Sequence, residues 1–505
     1  MKPSKRFNMR FTIFSFLLTL SSLALAQSPE HTAPQYEVES HLRFLASDEL
    51  QGRRTGEPGN FIAARYIAEN FRAFGAQPLP GADGYFQHFP LETVTPPSAS
   101  ALKIGKTAYE HRKDYLMMAG DALNAKTTAV FAGHGWVDAS AGHDDYKGLD
   151  VKGKVVFVIS GLPDDSSPMA AFNSIRDKRR LAQERGAVAI IELYRLGFPW
   201  QFALQYFGKS STRVGDDSPD KATIPYGWLK EKGNDALAEI VKGAPQKITL
   251  SSSGASVTRK MVPNVIAVIP GSDPVLKDEY VLLSAHFDHV GTGKNGGSPF
   301  TAADSIFNGA RDNAFGTSAL LLAARTLAQQ KTKRSIILLA CNGEEMGLLG
   351  SLYYADHPLI PLRQTIFNLN ADGAGYNEVT KISAIGHGRT GTDEHIESAA
   401  AAFGLGVIPN PVPEQGLFDR SDNVSFAAKG VPAVCISPGV TGFDETLMKY
   451  YHQAPDEAAS VDMPYLLRYC QSFALLARRI ADDAAKPIWK KGDKYESAGM
   501  KLYQK

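Results

Sequence analysis

The stretch Tyr280-Val281-Leu282-Leu283-Ser284-Ala285-His286-Phe287-Asp288-His289 decides how the chain is read. A mainly apolar run gives way at once to two imidazoles and a carboxylate. Such a run, bounded by polar residues, predicts a strand buried on both faces, as in a sheet covered by helices. A second run, Arg334-Ser335-Ile336-Ile337-Leu338-Leu339-Ala340, leads into Cys341-Asn342-Gly343-Glu344-Glu345-Met346-Gly347. Between them, Thr317 to Gln329 is rich in Ala and Leu and predicts a helix. That order argues for a layered α/β fold, here three layers (α/β/α) with a mostly parallel central sheet. In such sheets, ligand sites gather beyond the carboxyl ends of the strands.

Upstream, Tyr36 to about Arg72 repeats apolar residues every three to four positions and predicts helices, and Gly75 suits a helix end. The interruption Gln51-Gly52-Arg53-Arg54-Thr55-Gly56-Glu57-Pro58-Gly59 reads as a loop, with Arg53 and Arg54 expected to be solvated rather than to shape the site. Near Thr127 the composition changes. Ala129 to Gly133, Val155 to Ile159 and Ala187 to Ile191 read as short buried strands, with a helix from Met169 to Arg185. Residues 127–258 contain few groups for hydrolytic chemistry and read as an inserted β-rich module, for which a lid or access role is expected. The main domain is then expected as segments 27–126 and 259–485, with 486–505 as a carboxyl-terminal tail.

A chain of 505 residues predicts two or three domains, and 44% hydrophobic with 21% charged residues is the composition of a globular protein. Lys plus Arg (54) balances Asp plus Glu (53), so no net field points to nucleic acid or an anionic membrane. At the amino end, Lys2, Lys5, Arg6 and Arg10 precede an apolar run from Phe11 to Leu25, closed by Ala24-Leu25-Ala26. These are the parts of a secretory signal peptide over 1–26, which predicts export to the periplasm or beyond. The run falls short of the roughly 20 residues a membrane span needs, and no later segment supplies a stable anchor. Cys341, Cys435 and Cys470 are too few for a disulfide framework and allow at most one bridge; Cys341 and Cys435, in or beside apolar runs, read as buried thiols.

The chemistry-bearing residues follow the apolar runs. His286 and Asp288 close the first strand, and Asp312 sits in Asn308-Gly309-Ala310-Arg311-Asp312-Asn313, before the helix. Glu344 and Glu345 follow the second strand, and Asp372 follows Thr365-Ile366-Phe367-Asn368-Leu369. His452 lies in Tyr450-Tyr451-His452-Gln453-Ala454-Pro455-Asp456. Two imidazoles with several carboxylates suit zinc, and cobalt or manganese fit the same donors. The set exceeds what one tetrahedral zinc needs, and a carboxylate shared by two ions accounts for the surplus. Two ions about 3.5–4 Å apart clamp an attacking oxygen and the scissile carbonyl. The adjacent acids 344 and 345 then divide the work, one binding metal and the other moving a proton. Taken singly, each residue has a plainer reading: Asp312 as a helix cap, the two glutamates as an acidic helix start, His452 as a loop histidine. His289 reads as structural or pocket-lining, because neighbouring strand positions face opposite ways.

As a set, these motifs resemble the zinc aminopeptidase family with co-catalytic metals, whose relatives include glutamate carboxypeptidase and the transferrin receptor. The resemblance runs over nearly the whole mature chain. It includes an inserted protease-associated domain, marked by Asp144-Asp145-Tyr146 and Gly148-Leu149-Asp150-Val151-Lys152-Gly153-Lys154. It implies two zinc ions: one on His286 and Asp372, the other on Glu345 and His452, with Asp312 bridging. It makes Glu344 the general base and Asp288 the acid that orients His286, where a carboxylate fixes the tautomer of a ligating imidazole. The implied reaction removes single residues from the amino ends of peptides, short ones above all. Arg311 and Asn423 depart from the family pattern and put the lining of the substrate pocket in question. Three rivals remain. A carboxypeptidase-type hydrolase needs basic side chains for a substrate carboxylate. A glutaminyl cyclase needs only one metal. A binding protein on a peptidase scaffold has no need to keep Glu344 and all five donors.

Overall fold

The stretch Tyr280–His286 is the central strand of a nine-stranded sheet in the computed structural model, which describes residues 28–215, 223–231, 235–297 and 299–504. The signal-peptide segment 1–26 lies outside the described residues. Four strands at the centre run parallel: Ser335–Cys341, Tyr280–His286, Thr365–Ala371 and Ala433–Gly439. Antiparallel strands extend the sheet on one side, through Ser256–Ile269 and Phe86–Thr95. On the other side Glu378–Ile385 joins antiparallel and Gly406–Pro409 parallel to it. The parallel order expected from the apolar runs therefore holds where the runs are, and the flanks are mixed.

Alternation along the central strands explains the layers, since successive side chains leave opposite faces. Val281, Leu283 and Ala285 pack against one set of helices, which includes Pro58–Phe74, Phe315–Gln329 and Met463–Asp482. Leu282, Ile337 and Leu339 face the other way, toward Leu349–Asp356 and Asn423–Ala427. Both faces are dry, as the continuous hydrophobicity demands. Gly75 ends Pro58–Phe74 in the left-handed conformation, at φ 88°.

A second sheet of eight strands has its own apolar core. It begins at Ser100–Ile104, which pairs with Gln246–Ser252, so it starts ahead of the change in composition at Thr127. The early strands carry polar residues on one face and lack the signature of a buried run. One strand inside this stretch, Ser211–Val214, pairs instead with Phe86–Thr95 of the first sheet. Behind the second sheet, Lys178 and Glu192 form a fully buried ion pair at 2.8 Å, and Glu192 also accepts from Tyr226 and Trp228.

The carboxyl-terminal segment is part of the main body. Trp489 is buried and donates to the Gly430 carbonyl, Asp493 pairs with Arg389, and Tyr503 donates to the Thr365 carbonyl. All three cysteines are buried and unpaired, as expected. Among the described residues no helix is long and apolar enough to cross a membrane.

Candidate metal centre

The parallel strands deliver their carboxyl ends to one edge of the sheet, and His286 sits in register with Cys341 there. The loops that follow bring His286, Asp312, Glu344, Glu345, Asp372 and His452 to the wall of a single cavity. Asp312 lies between the two ends of this group: its Oδ1 is 3.3 Å from His286 Nε2, and its Oδ2 is 3.2 Å from His452 Nε2. Asp372 Oδ1 is 3.1 Å from the same His286 nitrogen, and Glu345 Oε2 is 3.1 Å from His452 Nε2. His452 takes a left-handed backbone at φ 51°, an uncommon state for a non-glycine residue and one that clusters at functional sites.

Two donor sets arise from this arrangement. His286, Asp312 and Asp372 bring one donor atom each within 4.8 Å of one another, and so do His289, Asp312 and Glu345. Asp312 belongs to both. Imidazole and carboxylate without thiolate is a donor chemistry that fits zinc and its divalent neighbours. His289 enters the second set beside Glu345. Its Nδ1 lies 2.8 Å from Glu345 Oε1, and its Nε2 is buried with no hydrogen-bond partner. The alternation rule misdirects here because the strand ends at His286, and the chain turns before position 289. Gly309 makes room for this ring, since a Cβ there would come within 2.5 Å of it.

The charges of the cluster are strongly coupled to burial. Burial pulls the His452 imidazole down, but Asp312 and Glu345 outweigh it and push it up to about 11. Burial and the Asp312 charge raise Glu345, yet hydrogen bonds to His289 and His452 bring it down to about 2. Asp312 is held well below the usual range by His286 and His452 against its own burial. Glu344 goes the other way. Burial first, then the Asp372, Glu345 and Asp422 charges, push it well above the ordinary glutamate value despite His286. Within one pocket, one carboxylate is held ready for a proton while its neighbour stays charged, which is the pattern of a divided acid–base role.

Asp288 lies beneath the cavity, fully buried. Its carboxylate accepts the backbone N–H of Glu344 at 3.1 Å, that of Glu345 at 3.4 Å, and the Thr55 hydroxyl at 2.9 Å. The nearest His286 nitrogen is 3.9 Å from this carboxylate but 3.3 Å from the Asp288 carbonyl. The side chain therefore holds the two glutamates, and the main chain faces the imidazole.

The expectation of a solvated Arg53 is corrected. Arg53 is 1% exposed, and its guanidinium donates to the carbonyls of Leu45, Phe287, Asn308 and Gly309. It ties the loop after His286 to the loop before Asp312. Burial lowers it to about 10 while Asp288, Asp456 and Asp312 oppose that shift, so it remains charged at neutral pH. A glycine-rich loop gave no sign of this, because the partners are distant in sequence. We expect Arg53→Met to weaken metal binding by about 10–100-fold, as loss of outer support does. Competition with a chromophoric chelator measures it.

Asp456 was also not singled out, although it is buried and accepts the backbone N–H groups of Arg311 and Asp312. Arg311 does not reach the pocket wall. It is stacked between Tyr376 and Tyr450, at 4.3 and 3.7 Å from the ring centroids, and donates to the Ser460 carbonyl. Asn423 is buried and donates to the Phe418 carbonyl. Both departures thus serve the scaffold. Among the described residues, none of the second sheet lines the cavity.

Comparison with known proteins follows the same division. The model of peptidase family M28 matches residues 264–476. Aminopeptidase YwaD of Bacillus subtilis (strain 168) is 26% identical over 244 residues, 47% of this chain and 48% of that protein. A vacuolar membrane protease of Lachancea thermotolerans is 30% identical over 245 residues, 48% of this chain and 23% of that protein. The chain thus spans about half or less of the length of these curated relatives. The aminopeptidase from Aneurinibacillus sp. strain AM-1 shares the fold, with a TM-score of 0.51, 21% identity, and coverage of 92% of this chain and 98% of that one. Every metal-donor residue named above falls between His286 and His452, inside the span 264–476 over which the chain is similar to peptidase family M28.

Proposed function

We propose that the protein is an exported zinc aminopeptidase that removes single residues from the amino ends of peptides. The observation that carries this reading is Asp312, whose two oxygens face His286 and His452 separately. In the proposal His286 and Asp372 would hold one zinc, Glu345 and His452 would hold the other, and Asp312 would serve both, with His289 braced against Glu345. When bound, the two ions supply the positive charge that activates a water and polarises the scissile carbonyl. Glu344 takes the proton of the attacking water and passes it to the leaving amine, a role its place on the cavity wall beside Glu345 supports. Asp288 keeps the backbone of Glu344 and Glu345 in place through those steps. The leader pattern over 1–26 supports action outside the cytoplasm.

The test is a panel of aminoacyl chromogenic substrates, each paired with its amino-blocked form. The reading expects cleavage of free substrates alone, lost on chelation and restored by zinc. Equal cleavage of blocked and free substrates overturns it.

A further inference from the structure

The wall of the site cavity carries four carboxylates, at Asp312, Glu344, Glu345 and Asp372, and one side chain of permanent positive charge, Arg420. Among the described residues Arg420 has no ion-pair partner, and its side chain is exposed. The turn that carries it is nevertheless anchored. Arg420 closes the short helical turn Leu417–Arg420, and the residues on either side are tied down. Phe418 is buried beneath Arg389, 4.0 Å from its ring centroid, and packs on Trp489 and Tyr495 of the carboxyl-terminal segment. Asp419 accepts from Tyr495 at 2.8 Å and pairs with Lys494. On the other side, Ser421 donates to Asp372, in the site itself. The carboxyl-terminal segment thus pins a turn whose last residue presents a guanidinium to the cavity.

A guanidinium that no carboxylate among the described residues neutralises, on the wall that also carries the reacting groups, matches a substrate anion, and its fork suits a carboxylate. We propose that Arg420 binds the free α-carboxylate of short peptides, so that the site reads both ends of its substrate. This specificity rests on the aminopeptidase reading. Because Arg420 and the reacting groups line the same cavity, the peptides that reach both are short.

The experiment compares Leu-Ala, Leu-Ala amide and N-acetyl-Leu-Ala on the zinc-loaded full chain, wild type and Arg420→Gln. Amidation removes the charge and changes little else. Wild type is expected to favour the acid over the amide by about tenfold in kcat/KM, carried by KM, the loss that one charged hydrogen-bonded pair implies. In Arg420→Gln the acid-to-amide ratio is expected to fall close to unity, with Arg420→Lys between the two. A fold defect lowers both rates and leaves the ratio intact, which the ratio therefore separates. A wild-type ratio near unity, or one that survives in Arg420→Gln, overturns the assignment of Arg420 alone. Hydrolysis of the acetylated peptide as fast as the free one instead overturns the aminopeptidase reading, and the two-ended specificity falls with it.

Discussion

Glu344→Gln is expected to bind zinc as the wild type does and to lose turnover by about 10²–10⁴-fold, the contribution of a positioned general base. The side chain lines the cavity and is not part of either tight donor set, so its amide replacement leaves the metal donors unchanged. Asp288 still accepts the backbone N–H at position 344, which keeps the substituted side chain on its turn. What is lost is a proton acceptor whose affinity is raised by burial and by three nearby carboxylates. Metal analysis of the purified variant, with steady-state rates on a free aminoacyl substrate, gives the result. Full activity in a metal-replete variant means that another group moves the proton.

The second large effect belongs to Asp312. Asp312→Ala is expected to lose both ions together, whereas Asp372→Ala and Glu345→Ala each lose one. Asp312 is the residue common to the two donor sets, and each of the other acids belongs to one. Its loss also leaves His286 and His452 without the carboxylate that separates them. The fall in affinity should exceed the roughly 10–100-fold cost of losing an outer hydrogen-bond partner. Titration of the metal-free variants by calorimetry distinguishes the patterns. One ion retained by Asp312→Ala at wild-type affinity contradicts the sharing.

How far the sequence alone reaches is clear from particular residues. The central strands were legible because burial on both faces leaves an uninterrupted apolar run, and Tyr280–His286 and Ser335–Cys341 lie where those runs are. The donors were legible as the polar residues ending such runs, since parallel strands share one carboxyl edge. His452 is a candidate donor from its segment, and its assignment to the second ion comes from the family resemblance. Arg53 was misread for a physical reason: its partners at Leu45, Phe287, Asn308 and Gly309 come from three segments, and local composition cannot report them. The place of His289 beside Glu345 was not legible, because period-two alternation stops with the strand at His286. The second sheet starts earlier than its composition indicates, because a half-exposed strand such as Ser100–Ile104 mixes polar and apolar residues. The tail over 486–505 gave no periodic signal, although Trp489 and Tyr495 pack beneath the turn that carries Arg420.

The most direct measurement is anomalous diffraction at the zinc edge from crystals grown with ample zinc. Two peaks are expected, one beside His286 and Asp372 and one beside Glu345 and His452, with the Asp312 carboxylate reaching both. A single peak, or donors dispersed away from any ion, contradicts the paired-metal site.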